Sequence, residues 1–142
     1  MEYLLAEGDM APNLMVIDHV HVSVKNRNLA EQWYKDILGF ERVAEFEQWA
    51  SAKGPLTIGN AQGNIHLALF ESEAIQNTVI AFSVTAENFF AWIEHLNDKD
   101  MQVKIIDHNL SWSIYFRDPD GNPFEITTYE YDAVHGYMEW KS

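Results

Sequence analysis

The stretch "SIYFRDPDGNPFEITTYE", Ser113 to Glu130, predicts two strands joined by a tight turn. Pro119 presets φ, Gly121 tolerates a positive φ, and the neighbouring aspartates can hydrogen-bond their own backbone. Such a turn fixes the register of the hairpin, so Glu125 cannot slip to the other face of its strand. A lone glutamate inside the apolar, β-branched run "PFEITTY" indicates a carboxylate with a function.

A similar closing strand occurs earlier in the chain, and the two copies reveal an internal duplication. "GNIHLALFE" (63–71) matches "GNPFEITTYE" (121–130), and each ends a segment with the predicted order β-α-β-β-β. The opening strands, "MVIDHVHVSV" and "NTVIAFSVTA", lie about 60 residues apart, a spacing typical of a repeated unit. The predicted divisions are an arm (1–13), module one (14–72), module two (77–130) and a C-terminal tail (131–142).

Composition and charge restrict the classes of function. The 142 residues carry 22 acidic and 9 basic side chains, a formal net charge of −13, and no cysteine. Such a surface repels nucleic acid and anionic lipid, and the lack of cysteine excludes disulfides and thiolate metal ligands. No apolar run approaches the ~20 residues of a membrane helix, and the start lacks a basic secretory signal. We therefore expect a cytoplasmic protein that binds neither nucleic acid nor membrane.

Three histidines and one glutamate are predicted to share one face of the sheets. Strand alternation places His19 and His21 opposite the valines of the first strand. It places His66 and Phe70 opposite the leucines of the fourth strand, and Glu125 opposite the apolar row of the last strand. Because helices must cover the apolar rows, the polar rows line a trough. Imidazoles and a carboxylate there could bind a divalent cation, although each histidine alone could equally be structural.

In the segments around these residues, the chain resembles the vicinal oxygen chelate superfamily. That superfamily includes glyoxalase I, extradiol dioxygenases, fosfomycin-resistance transferases and bleomycin-binding proteins. The resemblance covers roughly residues 14–130 and rests on "IDHVHVSVKNRNLAEQWYKDILGFE" (17–41) and "SIYFRDPDGNPFEI" (113–126). It implies an α+β fold in which two βαβββ modules form an open, cleft-bearing mixed β-barrel.

The resemblance also implies a set of metal ligands. His19 matches the first-strand histidine of the family, His66 the ligand position on the last strand of module one, and Glu125 the closing glutamate. The remaining position, on the first strand of module two, is usually histidine in the metal-dependent members and is Val79 here. A metal site would therefore consist of His19, His66 and Glu125, with iron, zinc, manganese, nickel or cobalt as the ion.

A second motif is similar to a segment of the extradiol dioxygenases. In "DHNLSWSIYFRDPDGNPFE" (107–125), His108 and Tyr115 match the histidine and tyrosine that precede the ligand glutamate. In that chemistry the tyrosine hydrogen-bonds the bound oxygen of the substrate and the histidine moves protons. His21, on the face of His19, is a further general-base candidate. The alternative roles are structural: strand packing for Tyr115, a loop position for His108 and a cross-strand hydrogen bond for His21.

Two functions remain open. One is a metal-dependent enzyme that chelates two adjacent oxygens of a small substrate, as a lyase or isomerase or as a ring-cleaving dioxygenase. The other is a metal-free binding protein of the bleomycin-resistance kind, whose acidic surface favours a cationic ligand. Aromatic side chains would contact the small molecule in either case; the candidates are Trp49, Trp112 and Phe70. Val79 favours the binding protein, whereas the histidine–glutamate set favours the enzyme.

The resemblance also bears on the oligomeric state of the protein. Short chains with two βαβββ modules usually dimerise in this superfamily, sometimes by exchanging modules. Open sheets leave unpaired strand edges and an apolar flank, which gives dimerisation a physical reason. We therefore expect a homodimer, with the cleft formed either within one chain or across two.

Overall fold

The computed structural model describes residues 11–51, 54–74 and 77–141. Its elements follow the predicted order βαβββ twice, and a helix follows the second module. Module one contains β1 (Val20–Val24), α1 (Arg27–Trp33), β2 (Glu41–Arg42), β3 (Leu56–Gly59) and β4 (His66–Glu71). Module two contains β5 (Ile80–Ser83), α2 (Ala86–Asp98), β6 (Lys104–Asp107), β7 (Trp112–Arg117) and β8 (Pro123–Thr128). The last helix is α3 (Tyr131–Lys141).

Each module forms its own four-stranded sheet, and the two sheets have equivalent strand orders. Sheet A is ordered β1-β4-β3-β2, and sheet B is ordered β5-β8-β7-β6. The first and last strands of each module pair in parallel, and the other pairs are antiparallel. This arrangement confirms the duplicated α+β fold. Within the described ranges the strands form two separate sheets rather than one closed barrel.

The sequence predicts that Asn26 or Asn28 caps the first helix and that Gly39 ends it. The structure confirms Asn26 and Gly39, but α1 buries different residues from those expected. The Asn26 side chain caps it by accepting a hydrogen bond from the Leu29 amide, and Gly39 ends the segment with a φ of 71°. Helical spacing from Trp33 predicts Leu29 in the core, yet Leu29 is 72% exposed. A π-helical turn over Tyr34–Leu38 shifts the helical register, which brings Tyr34 and its apolar neighbours into the core instead.

The segment after β2 differs from the sequence prediction. The spacing in "FERVAEFEQWA" (40–50) predicts a strand, but β2 is only two residues long and a 3₁₀ helix spans Ala44–Ser51. Three-residue spacing on such a helix aligns Phe46 with Trp49, whose rings stack 4.7 Å apart. The Arg27 guanidinium holds the end of this helix through the Ala50 carbonyl at 3.1 Å.

One apolar core joins the two modules. The inward rows of both sheets and the buried faces of the helices form a single cluster. Tyr34 of module one packs against Phe124 of module two with ring centroids 5.9 Å apart, and Phe40 meets Phe82 at the same separation. These contacts bury the apolar strand faces. The opposite face of each sheet, called its open face below, carries side chains of mixed exposure: His21 is exposed and Glu125 half-buried, whereas Ser113 is buried.

The turn between β7 and β8 also links the modules. The hydroxyl of fully buried Tyr34 donates to Asp118 Oδ2 at 2.7 Å. The Asn122 side-chain amide donates to Asp118 Oδ2 at 2.7 Å and to the Ser23 carbonyl at 2.8 Å. The turn therefore fixes the position of module two against the π-helical turn that follows α1 and against β1, in addition to the register of its own hairpin.

Tyr34 gives the fold a predicted dependence on alkaline pH. Burial, and then the charge of Asp118, raise the pKa of Tyr34 far above its ordinary value. Above pH ~10 the unfolded chain loses this proton while the folded chain keeps it, so stability falls by about 1.4 kcal/mol per pH unit. Urea unfolding between pH 9 and 11 should show this slope, and Tyr34→Phe should remove it. An unchanged slope in Tyr34→Phe would contradict the assignment.

The C-terminal segment forms α3, which packs on module two. Tyr137 contacts Phe90 of α2 with ring centroids 4.3 Å apart, and Tyr131 stacks on Trp112 at 6.1 Å. The last turn of α3 is more exposed to solvent, since Trp140 is 81% exposed. None of the helices in the described residues is both long enough and apolar enough to cross a membrane.

Candidate functional site

The open face of sheet A carries a pair of histidines at the start of β1. His19 Nε2 and His21 Nε2 lie 3.1 Å apart, and the two rings are stacked. His19 Nδ1 lies 2.8 Å from Asp18 Oδ2, so the carboxylate orients the His19 ring. The Phe70 ring packs against His21 with centroids 4.5 Å apart. Both histidines are solvent-accessible.

His66 lies on the same open face, next to an aromatic wall. It begins β4, one residue before Leu67, which pairs with Val20 of β1. Its ring makes a T-shaped contact with Phe46 at a centroid distance of 6.1 Å, and the Trp49 ring stacks on Phe46. Trp49 is 49% exposed, so this wall is open to a small molecule.

The open face of sheet B carries the predicted carboxylate. Glu125 is directly opposite Tyr115 in the β7–β8 ladder. Its Oε2 accepts a hydrogen bond from Ser113 Oγ at 2.7 Å, and that hydroxyl also lies 3.2 Å from Thr127 Oγ1. The Ser113 hydroxyl therefore holds the Glu125 carboxylate in place. The signal that could have identified Ser113 is its even spacing from Tyr115 on β7.

His108 and Tyr115 lie next to each other beside sheet B. His108 Nε2 lies 2.9 Å from the Tyr115 hydroxyl. Partial burial, and then the nearby charge of Glu125, raise the pKa of Tyr115 above its ordinary value. The hydroxyl therefore stays protonated at neutral pH and can donate a hydrogen bond. An open cavity of about 620 Å³ borders both Tyr115 and Val79.

The three predicted metal ligands do not form one cluster within the chain. Among the described residues, there is no group of three histidine, aspartate, glutamate or cysteine side chains that could hold a metal ion. His19 and His66 belong to the face of sheet A, and Glu125 belongs to the face of sheet B. Val79, just before β5, is 46% exposed and contributes no donor atom.

Trp112 lies away from the other predicted site residues. It pairs with Thr128, whereas Glu125 and Thr127 occupy the alternate positions of β8. Alternation therefore places Trp112 on the helix-covered face, where its ring stacks on Tyr131 of α3. The sequence prediction treated the segment after β8 as a tail, so it did not anticipate that a helix would cover Trp112.

Comparison with known proteins identifies relatives that match most of the chain. Metallothiol transferase FosB of Staphylococcus epidermidis is 35% identical over 124 residues, which are 79% of this chain and 80% of the relative. The protein of the same name from Staphylococcus saprophyticus is 31% identical over 122 residues, 79% of this chain and 76% of the relative.

Solved structures share the fold. An integron cassette protein from the Halifax Harbour sewage metagenome superposes with a TM-score of 0.71 at 26% identity, covering 81% of this chain and 99% of that one. Lactoylglutathione lyase from Agrobacterium tumefaciens superposes with a TM-score of 0.67 at 21% identity, over 82% and 96% of the two chains.

A family model decides the assignment. The model described as Glyoxalase/Bleomycin resistance protein/Dioxygenase superfamily matches residues 16–126, which span both βαβββ modules. With the duplicated sheets and the FosB relatives, this match leads to one conclusion: the chain belongs to the glyoxalase/bleomycin resistance protein/dioxygenase superfamily.

Proposed function

We propose that the protein is a metal-dependent enzyme that transfers a thiol to a small, oxygen-bearing substrate. The relatives that exceed 30% identity over most of their length carry the name metallothiol transferase. The observation that carries the proposal is the pairing of His19 with Asp18, because a carboxylate on Nδ1 leaves Nε2 as the basic, ligand-ready nitrogen. We propose His19, His66 and Glu125 as ligands of a divalent ion.

The proposed site draws on two chains. His19 and His66 lie on the face of sheet A, and Glu125 lies on the face of sheet B. A homodimer in which sheet A of one chain faces sheet B of its partner would bring these ligands together. A surface for such a partner exists ahead of β1, where four consecutive apolar residues are 78–96% exposed: Leu14, Met15, Val16 and Ile17.

The remaining polar groups then have distinct roles. When bound, the metal would supply Lewis-acid polarisation of two substrate oxygens. The Tyr115 hydroxyl would donate a hydrogen bond to a substrate oxygen, and His108, 2.9 Å away, would orient that hydroxyl and accept or return its proton. Phe70 and Trp49 would contact the apolar part of the substrate. The same groups suit a lyase or ring-cleaving reaction if no thiol is used.

A second candidate function is metal-free binding of a small ligand. Val79 supports it, because a side chain without a donor atom occupies a position that is usually histidine in the metal-dependent members. In this case the exposed Trp49 and Phe46 rings would stack on a planar ligand, and the carboxylate of Glu125 would attract a cationic group.

Metal binding separates the two candidates. Apo protein titrated with Zn²⁺, Mn²⁺ or Co²⁺ should bind about one ion per chain, and His19→Ala should weaken binding by more than 100-fold, since a ligand atom is lost. His135→Ala is the matched control, because that histidine packs on Tyr131 of α3, away from the site. Binding that is absent in the native chain, or that is insensitive to His19→Ala, would favour the metal-free ligand.

The transfer reaction has its own test. Metal-loaded protein is incubated with fosfomycin and either cysteine or glutathione, and the loss of free thiol is followed. We expect metal-dependent thiol loss that Tyr115→Phe reduces by roughly 10²–10⁴-fold, the contribution of a positioned acid–base group. Tight metal binding without thiol loss would support a metal-dependent enzyme but rule out thiol transfer to fosfomycin.

A further inference from the structure

We infer that His21 is a metal ligand, and that His19 and His21 form a two-imidazole half-site oriented by Asp18. The inference rests on the proposed function in one respect, namely that a divalent cation binds on this face of sheet A. It differs from the ligand set that the family pattern implies, in which the second imidazole would come from the position that is Val79 here.

The first support is the distance between the two nitrogens. His19 Nε2 and His21 Nε2 are 3.1 Å apart. Two imidazole nitrogens that each lie about 2.1 Å from one ion, at this separation, subtend an angle of about 95° at the ion. That angle lies between octahedral and tetrahedral values, so the separation of the two nitrogens suits two ligands of one cation.

The second support is the protonation state that the neighbours impose. The Asp18 carboxylate can only accept, so His19 Nδ1 must carry the proton in their 2.8 Å hydrogen bond. The bare Nε2 of His19 then accepts the 3.1 Å hydrogen bond from His21 Nε2–H, and a cation held by both nitrogens would take the place of that proton. A carboxylate–histidine arrangement of this kind fixes the tautomer of a ligating imidazole.

The third support is the restraint on the two rings. The Phe70 ring lies against His21 with centroids 4.5 Å apart, and the His19 and His21 rings are inclined by only 22°. Because the neighbours restrict both rings, little side-chain entropy remains to be lost when an ion binds. His66 has a different environment: its ring meets the edge of Phe46, which leaves it as part of the aromatic wall.

His21 therefore replaces the donor that Val79 cannot supply. The metal would be held by His19 and His21 and by Glu125 from sheet B, a set of two imidazoles and one carboxylate. In this set His21 takes the place that the proposed function gives to His66. Such a set leaves coordination positions open for two substrate oxygens. His19 directly precedes β1 and His21 is the second residue of that strand, and their stacked rings lie side by side.

The test measures metal binding rather than activity. Apo protein is titrated with Co²⁺, and its Cu²⁺ complex is analysed by electron paramagnetic resonance, which counts coordinated nitrogens. We expect His21→Ala to weaken Co²⁺ binding by more than about 100-fold and to remove one of two coupled nitrogens. We expect Asp18→Asn to weaken binding by about 10- to 100-fold while both nitrogens remain, since it alters only an outer hydrogen bond. All of these side chains are exposed, so the variants should fold, which circular dichroism verifies.

The outcomes distinguish this inference from the proposed function. If His19→Ala and Glu125→Ala lose Co²⁺ while His21→Ala binds it within threefold of the native chain, His21 is not a ligand and the metal enzyme stands. If the native chain binds no cation, both proposals are overturned. A Cu²⁺ spectrum with two coupled nitrogens in His21→Ala would also reject the inference, since it would assign the second nitrogen to another residue.

Discussion

An equimolar mixture of His19→Ala and Glu125→Ala chains is expected to regain about a quarter of the metal sites that each variant alone has lost. Each variant removes a ligand from both sites of its own homodimer. In a mixed dimer, the intact His19 of one chain meets the intact Glu125 of the other, so one of two sites is restored. Equal mixing makes half of the dimers mixed, which gives the expected quarter.

The reason for this expectation is the separation of the donors onto two sheets. The imidazoles of His19 and His21 lie on sheet A, the carboxylate of Glu125 lies on sheet B, and no three-donor group forms within the described residues. Metal sites of this composition need the third donor, because two imidazoles alone bind weakly and leave the ion without charge compensation.

The experiment refolds the two variants together and measures bound Co²⁺ per chain. Native mass spectrometry verifies that mixed dimers have formed. The matched control mixes His19→Ala with a chain that carries both substitutions, a combination that cannot rebuild any site. Verified mixed dimers without recovered metal would place the whole site within one chain.

Replacing Asp118 with alanine is expected to cost about 3–5 kcal/mol of unfolding free energy. This carboxylate is 5% exposed and accepts from the Tyr34 hydroxyl, the Asp120 amide and both nitrogens of Asn122, at 2.7–2.9 Å. Its removal leaves a buried hydroxyl and a buried amide without their acceptor, and each such group costs about 1–3 kcal/mol. The link between α1 and the β7–β8 turn is lost at the same time.

Urea unfolding and thermal melts measure the effect, with a fall in Tm of about 10 °C or more expected for a chain of this size. Asp120→Ala is the matched control in the same turn, since the Asp120 side chain accepts a longer hydrogen bond, from the Lys25 amide at 3.2 Å. We expect that change to cost about 1 kcal/mol. A loss below 1 kcal/mol for Asp118→Ala would show that the turn does not hold the modules together.

Local signals in the sequence were sufficient for much of the fold. The repeated order of strands and helices, the Asn26 cap and the glycine at the end of the first helical segment are all confirmed. Each depends on residues within a few positions of one another, and such patterns can be recognised without knowledge of the packing. The segment Ala44–Ser51 is the exception, because its β-branched content is low and its aromatic spacing suits a 3₁₀ helix better than a strand.

The sequence by itself determined which face of each strand a side chain occupies. Alternation has a period of two, so His19 and His21 had to share one face and Glu125 had to lie opposite Phe124. It also determined that two such modules exist, since the order of predicted strands and helices occurs twice along the chain.

Only the tertiary structure decided which of these side chains meet. Tyr34 bonds with Asp118, 84 residues away, and Trp112 is covered by α3 rather than by a ligand. The nitrogens of His19 and His21 converge to 3.1 Å, while the predicted third ligand, His66, packs with Phe46. Rotamers and distances between elements depend on how the whole core packs, and that information is spread over residues far apart in the chain.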